Sequence, residues 1–293
     1  MFYRRKILLA LLEAFGGDLA NTDFQKLLFL YCRRSNSTHY DFFPYKFGGF
    51  SLVSYHDKRK LIEAGILANA DRFKLSTSKS YLKELKSTDR NSIRNFAAQA
   101  KNLRGKRLVR AAYKEYPEYA VRSEIASTVF TQEELRKIKK RFEPETQPTI
   151  MTIGYEGISI DAYLNKLIRN GVIALIDVRK NPISRKYGFS KTKLSSFMEN
   201  AGISYYHLSG LGISSKLRKG LNGIESYRKL FEVYEKQILP ENQEALEKLR
   251  DIFEKHQRIA LACYEKEYIM CHRHKLAKVL QNNLNTIYPI SHL

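Results

Sequence analysis

Apolar residues recur at helical spacing from residue 4 to residue 34 and are interrupted at Gly16-Gly17. This predicts two helices, the second over 23–34 with Asn21 or Thr22 as its cap. A loop rich in Ser and Asn leads to an aromatic segment, His39–Phe50, ending Phe42-Phe43-Pro44-Tyr45-Lys46-Phe47-Gly48-Gly49-Phe50. Ser51–Ala64 is helical again and stops at Gly65, a residue suited to the left-handed turn that closes a helix. Ile66-Leu67 and Phe73–Ser76 then predict a short hairpin around Asn69–Asp71. Residues 79–114 read mostly as helix, broken near Gly105. Thr131-x-x-Glu134 is a capping box opening a further helix to about Phe142, because hydroxyl and carboxylate each satisfy a free N–H at the helix start. Two prolines in the polar stretch Glu143–Pro148 stop any helix there.

From Thr149 the pattern changes. Short apolar runs predict strands at 150–153, 172–178, 203–208, 258–263 and 285–290. Between them lie helices over 159–170, 191–201, 223–237, 241–256 and 272–282. Strands alternating with helices predict an α/β domain, a mostly parallel, Rossmann-like sheet with helices on both faces. Ligands of such sheets sit beyond the carboxyl ends of the strands.

Length and charge add partners to this picture. The 293 residues suit two domains at about 150 residues each. Lys and Arg number 51 against 30 Asp and Glu, a formal net charge of +21, which draws the protein to anionic polymers, nucleic acid above all. Eleven basic residues against two acids fall within 79–114, too one-sided for a merely solvated helix face. Three Cys exclude a disulfide framework. Arg4, Arg5 and Lys6 before Ile7–Leu12 imitate a secretion signal, but the apolar run is six residues, short of the usual ~7 to 15. It reads as an amphipathic first helix of a cytoplasmic protein. No apolar run approaches the ~20 residues of a membrane span.

Helix, helix, helix, hairpin is the order of a winged helix-turn-helix. Leu27-Leu28-Phe29-Leu30, Tyr45-Lys46-Phe47-Gly48-Gly49-Phe50 and Leu61-x-x-x-Gly65-Ile66 resemble a bacterial winged-helix module that is fused to several effector domains. Such modules bind DNA or, in other cases, proteins. The expected organisation is therefore a winged helix over 1–78, a basic helical connector and linker over 79–148, and an α/β domain over 149–293. Arg104, Lys106 and Arg107 in the connector are candidate contacts to the phosphate backbone.

At the carboxyl ends of the predicted strands stand Gly154-Tyr155-Glu156-Gly157, Asp177-Val178-Arg179, His207 with Leu211-Gly212, and Cys263-Tyr264-Glu265 followed by Cys271-His272-Arg273. With Pro182-x-Ser184-Arg185 and Phe189-Ser190-Lys191, this ordered set resembles the DUF488 family over about 149–290. The family carries a second Gly after Leu-Gly where this chain has Ile213. Its name records an unknown function, so the resemblance implies a site without a settled reaction.

Residue types suggest the chemistry. Asp177 and Glu265 are two carboxylates over one expected pocket, the arrangement of glycosidic hydrolysis, and Tyr155 is placed to stack on a base. A buried Asp that only ties two loops together is the plainer reading of Asp177. Arg179, Arg185, Lys191, His207, His272 and Arg273 are candidate phosphate ligands, with no acid between 178 and 198 to neutralise them. Lys216, Arg218 and Lys219 add a second basic cluster. Cys263, Cys271 and His272 invite a zinc reading, but the Cys-x7-Cys-His spacing lacks a Cys-x2–4-Cys pair. Adjacent side chains at a helix start also point apart, so no metal and no cofactor are expected. Ile-Asp-Val-Arg is similar to rhodanese-like domains, yet the Arg after Cys263 is ten residues away at Arg273, not in a compact Cys loop. The expectation is a DNA-binding enzyme that processes a base or nucleotide by N-glycosidic hydrolysis, suited to phage defence or modified-DNA handling. The alternatives are a metal-dependent nuclease, or a winged-helix regulator whose α/β domain senses a phosphorylated ligand. Partners are nucleic acid, foremost double-stranded DNA, with no membrane, and a homodimer for the regulator.

Overall fold

The computed structural model describes every residue except Asn69, so the expected Asn69–Asp71 turn lies partly outside the described residues. The chain divides into two compact units, Met1–Glu143 and Pro144–Leu293. Among the described residues, no helix is long and apolar enough to cross a membrane.

In the first unit, α1 (Tyr3–Ala14) buries all six residues of Ile7–Leu12. A helix apolar on every side belongs inside a core, and the run that imitates a secretion signal is such a central helix rather than an amphipathic one. β1 (Asp18–Ala20) leads to α2 (Asn21–Arg34), whose N-cap is Ala20, without a side-chain cap from Asn21 or Thr22. The aromatic segment folds as an antiparallel pair, β2 (Phe43–Tyr45) and β3 (Gly48–Phe50). α3 (Leu52–Glu63) is capped by Ser51 Oγ, which accepts from Ser54 N at 3.3 Å, and ends before Gly65 with φ +69°. β4 (Arg72–Lys74) pairs antiparallel with β1, and Leu67 bridges Leu75.

α4 (Ser87–Gln99), α5 (Gly105–Glu115) and α6 (Gln132–Arg141) complete this unit, α6 opening on the Thr131–Glu134 capping box. Tyr81, Ile93, Phe96, Leu108 and Tyr113 join the buried cluster of α1 and α2. The segment read from sequence as a connector is thus part of the first unit's core, and its charge faces out. Lys106, Arg107, Arg110 and Lys114 are exposed at helical spacing along α5.

The second unit alternates strand and helix: β5 (Thr149–Gly154), α7 (Ile160–Arg169), β6 (Ala174–Asp177), α8 (Lys191–Asn200), β7 (Ser204–His207), α9 (Gly223–Val233), α10 (Gln243–His256), β8 (Arg258–Cys263), α11 (Arg273–Asn282) and β9 (Ile290–His292). The five strands are parallel, in the order β7-β6-β8-β5-β9. Ile150, Ala174, Ile176, Ile259 and Leu261 pack with Leu230, Phe231, Phe253 and Leu276, so one face of the sheet is covered by α9, α10 and α11. Successive strand residues point to opposite faces. Just past β5, Tyr155 stacks on Phe189, which in turn meets Tyr163 of α7.

Lys26 is the conspicuous cost in the first core. Its side chain is buried on α2 with a 3.4 Å approach of Nζ to the Gly49 carbonyl, and burial lowers its pKa to about 7. Between about 7 and the ordinary Lys value, the unfolded chain holds a proton that the folded chain has released. Stability from this group therefore rises with pH across that window, and the full penalty applies below it. Lys26→Met should stabilise the protein by a few kcal/mol (order of magnitude) at pH 6 and by much less at pH 10. Denaturant midpoints of the full chain at the two pH values measure the difference.

Candidate functional site

β6 ends in Asp177, which is fully buried. Arg179 Nε donates to its Oδ1 at 2.8 Å and Nη2 to its Oδ2 at 2.6 Å. Tyr205 Oη donates to Oδ2 at 2.7 Å, and the Arg179 backbone N–H approaches Oδ1 at 3.2 Å. The remaining Arg179 nitrogen, Nη1, donates to Tyr155 Oη at 3.0 Å and to the Phe189 carbonyl at 2.8 Å. Burial opposes the guanidinium charge, but hydrogen bonds to Asp177 raise its pKa above the ordinary Arg value. Burial and then the Asp177 charge push the Tyr205 hydroxyl up, which keeps it a donor. Tyr155 is buried and stacked on Phe189, centroids 4.3 Å apart and planes 10° from parallel. A bidentate Arg–carboxylate pair closed by a phenol on each side is a satisfied network.

The next strand position lies on the other face. Asp177 is in register with Ala262 of β8, so Cys263 projects to the side covered by α9, α10 and α11. Cys271 and His272 meet it there: the two sulfurs and His272 Nδ1 lie within 4.8 Å of one another. Sγ to Nδ1 is 4.0 Å from Cys263 and 3.9 Å from Cys271. The expectation that Cys271 and His272 diverge rested on a helix beginning at residue 272. In the structure α11 starts at Arg273, Cys271 is extended (φ −133°, ψ 135°), and His272 is the N-cap, so the two side chains converge. His272 Nε2 donates to the Val178 carbonyl at 3.3 Å. His274 instead donates from Nδ1 to the Cys271 carbonyl at 2.6 Å.

Glu265 stands beside this trio. Its side chain is 18% exposed, Oε2 accepts from Cys263 Sγ at 3.3 Å, and Arg218 Nη1 lies 3.6 Å from Oε1. Burial, then the neighbouring Cys271 sulfur, raises its pKa to about 7. Buried Arg273 holds the loop that carries it: Nη1 donates to the Glu265 carbonyl at 2.6 Å and Nη2 to the Lys266 carbonyl at 3.0 Å. The Glu265 carbonyl crosses the end of β5 so closely that a Cβ on Gly154 would stand 1.8 Å from it. Gly212 is under the same constraint, its notional Cβ 2.2 Å from Lys180 N. Ile213, where a second Gly was expected from the resemblance, is buried in the core of this face.

The residues read as one site are thus two clusters on opposite faces. Asp177, Arg179 and Tyr155 form the first. Glu265, Cys263, Cys271 and His272 form the second, with Arg273 fastening its loop. Of the other expected phosphate ligands, His207 donates from Nε2 to the Arg179 carbonyl at 3.0 Å, while Arg185 and Lys191 are exposed. In the first unit Arg104 bonds the Leu103 carbonyl at 2.7 Å and lies over Phe15, whereas Lys106 and Arg107 point to solvent. Two features went unread in the sequence. One is Tyr205 as a donor to Asp177, and the other is the convergence of the two sulfurs with His272. The first depends on strand register and the second also on where α11 begins, and a lone sequence states neither.

The sealed first cluster has a direct energetic signature. Removing one partner of a buried pair leaves the other charge uncompensated, so Asp177→Ala should cost about 3–5 kcal/mol of unfolding free energy. Tyr205→Phe, which removes one hydrogen bond to that charge, should cost about 1.5–3 kcal/mol. Chemical denaturation of the full chain measures both, and a near-zero cost for Asp177→Ala would contradict the closed pair.

Similarity to known proteins is narrow. No curated protein and no solved structure matches the chain, and no family match covers the first unit. One family profile does match, within the second unit and from just before α7 into the last turn of α11, spanning Asp177, Arg179, Cys263, Glu265, Cys271, His272 and Arg273. Residues 159–280 match the family described as Domain of unknown function DUF488.

Proposed function

We propose that the protein binds double-stranded DNA through its first unit and hydrolyses an N-glycosidic bond with its second, Glu265 being the acting carboxylate. The observation that carries this reading is the contrast between the two acids at the carboxyl edge of the sheet. Asp177 has no exposed surface and is locked by Arg179 and Tyr205, whereas Glu265 is partly open to solvent and beside Arg218. In this reading Asp177 positions and Glu265 reacts.

In the step itself, water attacks the sugar C1′ as the C1′–N bond breaks. The base leaves with the bonding pair, and Glu265 takes the proton of the attacking water. The base must be out of the stack for C1′ to be reached, which a protein secures by flipping the nucleotide. Tyr155, stacked on Phe189, shapes the floor behind Arg179 instead of meeting the base.

Two features of the first unit support the DNA partner. With the β2–β3 pair as an insertion between α2 and α3, the elements α1, β1, α2, α3 and β4, with β4 paired to β1 and Leu67 bridging Leu75, follow the order of a winged helix. The exposed row Lys106, Arg107, Arg110 and Lys114 on α5 offers a run of cations at helical spacing to a phosphate backbone.

Duplexes with ordinary and modified bases, incubated with the protein and resolved before and after alkali, test the reaction. Alkali-dependent breaks are expected. Glu265→Gln should lower their rate roughly 10²–10⁴-fold and leave DNA affinity in place. Direct breaks that require added metal would make the protein a nuclease, and intact DNA with tight binding to one site would make it a regulator. Replacing Lys106, Arg107 and Arg110 by Gln should flatten the salt dependence of binding, by about 0.9 in log–log slope for each phosphate these side chains neutralise.

A further inference from the structure

We infer that Cys263, Cys271 and His272 form a site for a thiophilic divalent metal ion, zinc foremost. All three side chains are buried, at 1%, 1% and 4% exposure, and come from the end of β8 and from the two residues just before α11. The Sγ–Nδ1 distances of 4.0 and 3.9 Å, and the 4.8 Å limit on the whole set, suit a tetrahedron around one ion. Zinc sits about 2.3 Å from thiolate sulfur and about 2.0–2.1 Å from imidazole nitrogen, which places its donors roughly 3.4–3.8 Å apart. Closing on an ion therefore asks for movements of a few tenths of an ångström for the His272 contacts.

The imidazole is already set for the task. Its Nε2–H is held by the Val178 carbonyl, so Nδ1 turns its lone pair toward the two sulfurs. A backbone carbonyl that fixes the tautomer of a ligating histidine is a regular part of metal sites. Sulfur contacts near 4 Å are by themselves weak partners for a buried imidazole nitrogen, so the trio is better explained as a ligand set than as a hydrogen-bonded one. The donor set also selects the ion: two thiolates and an imidazole suit zinc and disfavour magnesium or calcium, which take oxygen ligands.

Three protein ligands leave one tetrahedral position for water or a substrate atom, the pattern of zinc sites that do chemistry and not of those that only hold a fold. Glu265, with Oε2 at 3.3 Å from Cys263 Sγ, is the acid next to this ligand set. The site is assigned on its own geometry, independently of the reaction proposed above. Metal content is read without any DNA, so failure of either idea leaves the other standing.

The test uses the full untagged chain, purified without metal-affinity steps from cells supplied with zinc, and elemental analysis of the product. One zinc per chain is expected, falling below about a fifth in Cys271→Ser and in His272→Ala and unchanged in Cys32→Ser, which alters the buried thiol of the first unit. Cobalt(II) added to chelator-stripped wild type should give a thiolate-to-cobalt charge-transfer band of two-sulfur intensity, halved in Cys271→Ser. The cobalt spectrum of wild type needs no variant to fold. Wild type that holds no metal and gives no such band would overturn the assignment, as would a Cys263–Cys271 disulfide found in the freshly purified protein by peptide mapping.

Discussion

Strand side chains alternate, and at the carboxyl edge of the five-stranded sheet that alternation decides which polar groups can meet. Asp177 and Ala262 share a register position and a face, and Cys263, one residue on, points to the other. The edge is thereby divided. The face reached through Tyr155 and Phe189 carries a carboxylate, a guanidinium and two phenols that satisfy one another. The face under α9, α10 and α11 carries two thiols, an imidazole and a half-open carboxylate. A buried ion pair contributes little net stability and is costly to break, and this one joins the end of β6 to the turn that follows it. The second group is the chemically open one.

The two faces are held in step by close backbone contact. The Glu265 carbonyl passes over Gly154, and the Lys180 backbone abuts Gly212, at separations that leave no room for a Cβ. Arg273 ties the carbonyls of Glu265 and Lys266 from beneath, and His272 reaches Val178 on the neighbouring loop. Both of these Arg273 donors aim at backbone oxygens, which fixes the loop that carries Glu265.

Much of this was legible in the sequence, in proportion to how local the cause was. Helices with periodic apolar faces, the Thr131–Glu134 capping box and the strand at 258–263 follow from near neighbours along the chain. The polar residues gathered at the strand ends follow from the α/β pattern. What sequence reading merged was the division into faces, because it depends on the pairing of β6 with β8 across roughly 80 residues of chain. The convergence of Cys271 with His272 was hidden for a related reason: it turns on one extended residue ahead of α11, finer than any periodicity resolves. Ile7–Leu12 misled in its own way, since the sequence shows an apolar run but not that the run is enclosed on all sides.

The charge distribution fits the same division of labour. The first unit directs its excess cations outward along α5 and keeps Lys26 inside at a cost, and the second sets single cations such as Arg218 beside its open carboxylate. If the Asp177 cluster is scaffold and the Glu265 face reacts, the two acids separate in one measurement: the rate of alkali-labile product formation per folded molecule for Asp177→Asn, with the folded fraction fixed by denaturation under the assay conditions. The predicted rate is within about tenfold of the unaltered protein, because positioning survives an isosteric amide far better than acid–base chemistry does. A loss of roughly a hundredfold or more in fully folded Asp177→Asn, the scale of a removed acid–base group, would contradict this division and return Asp177 to the reaction.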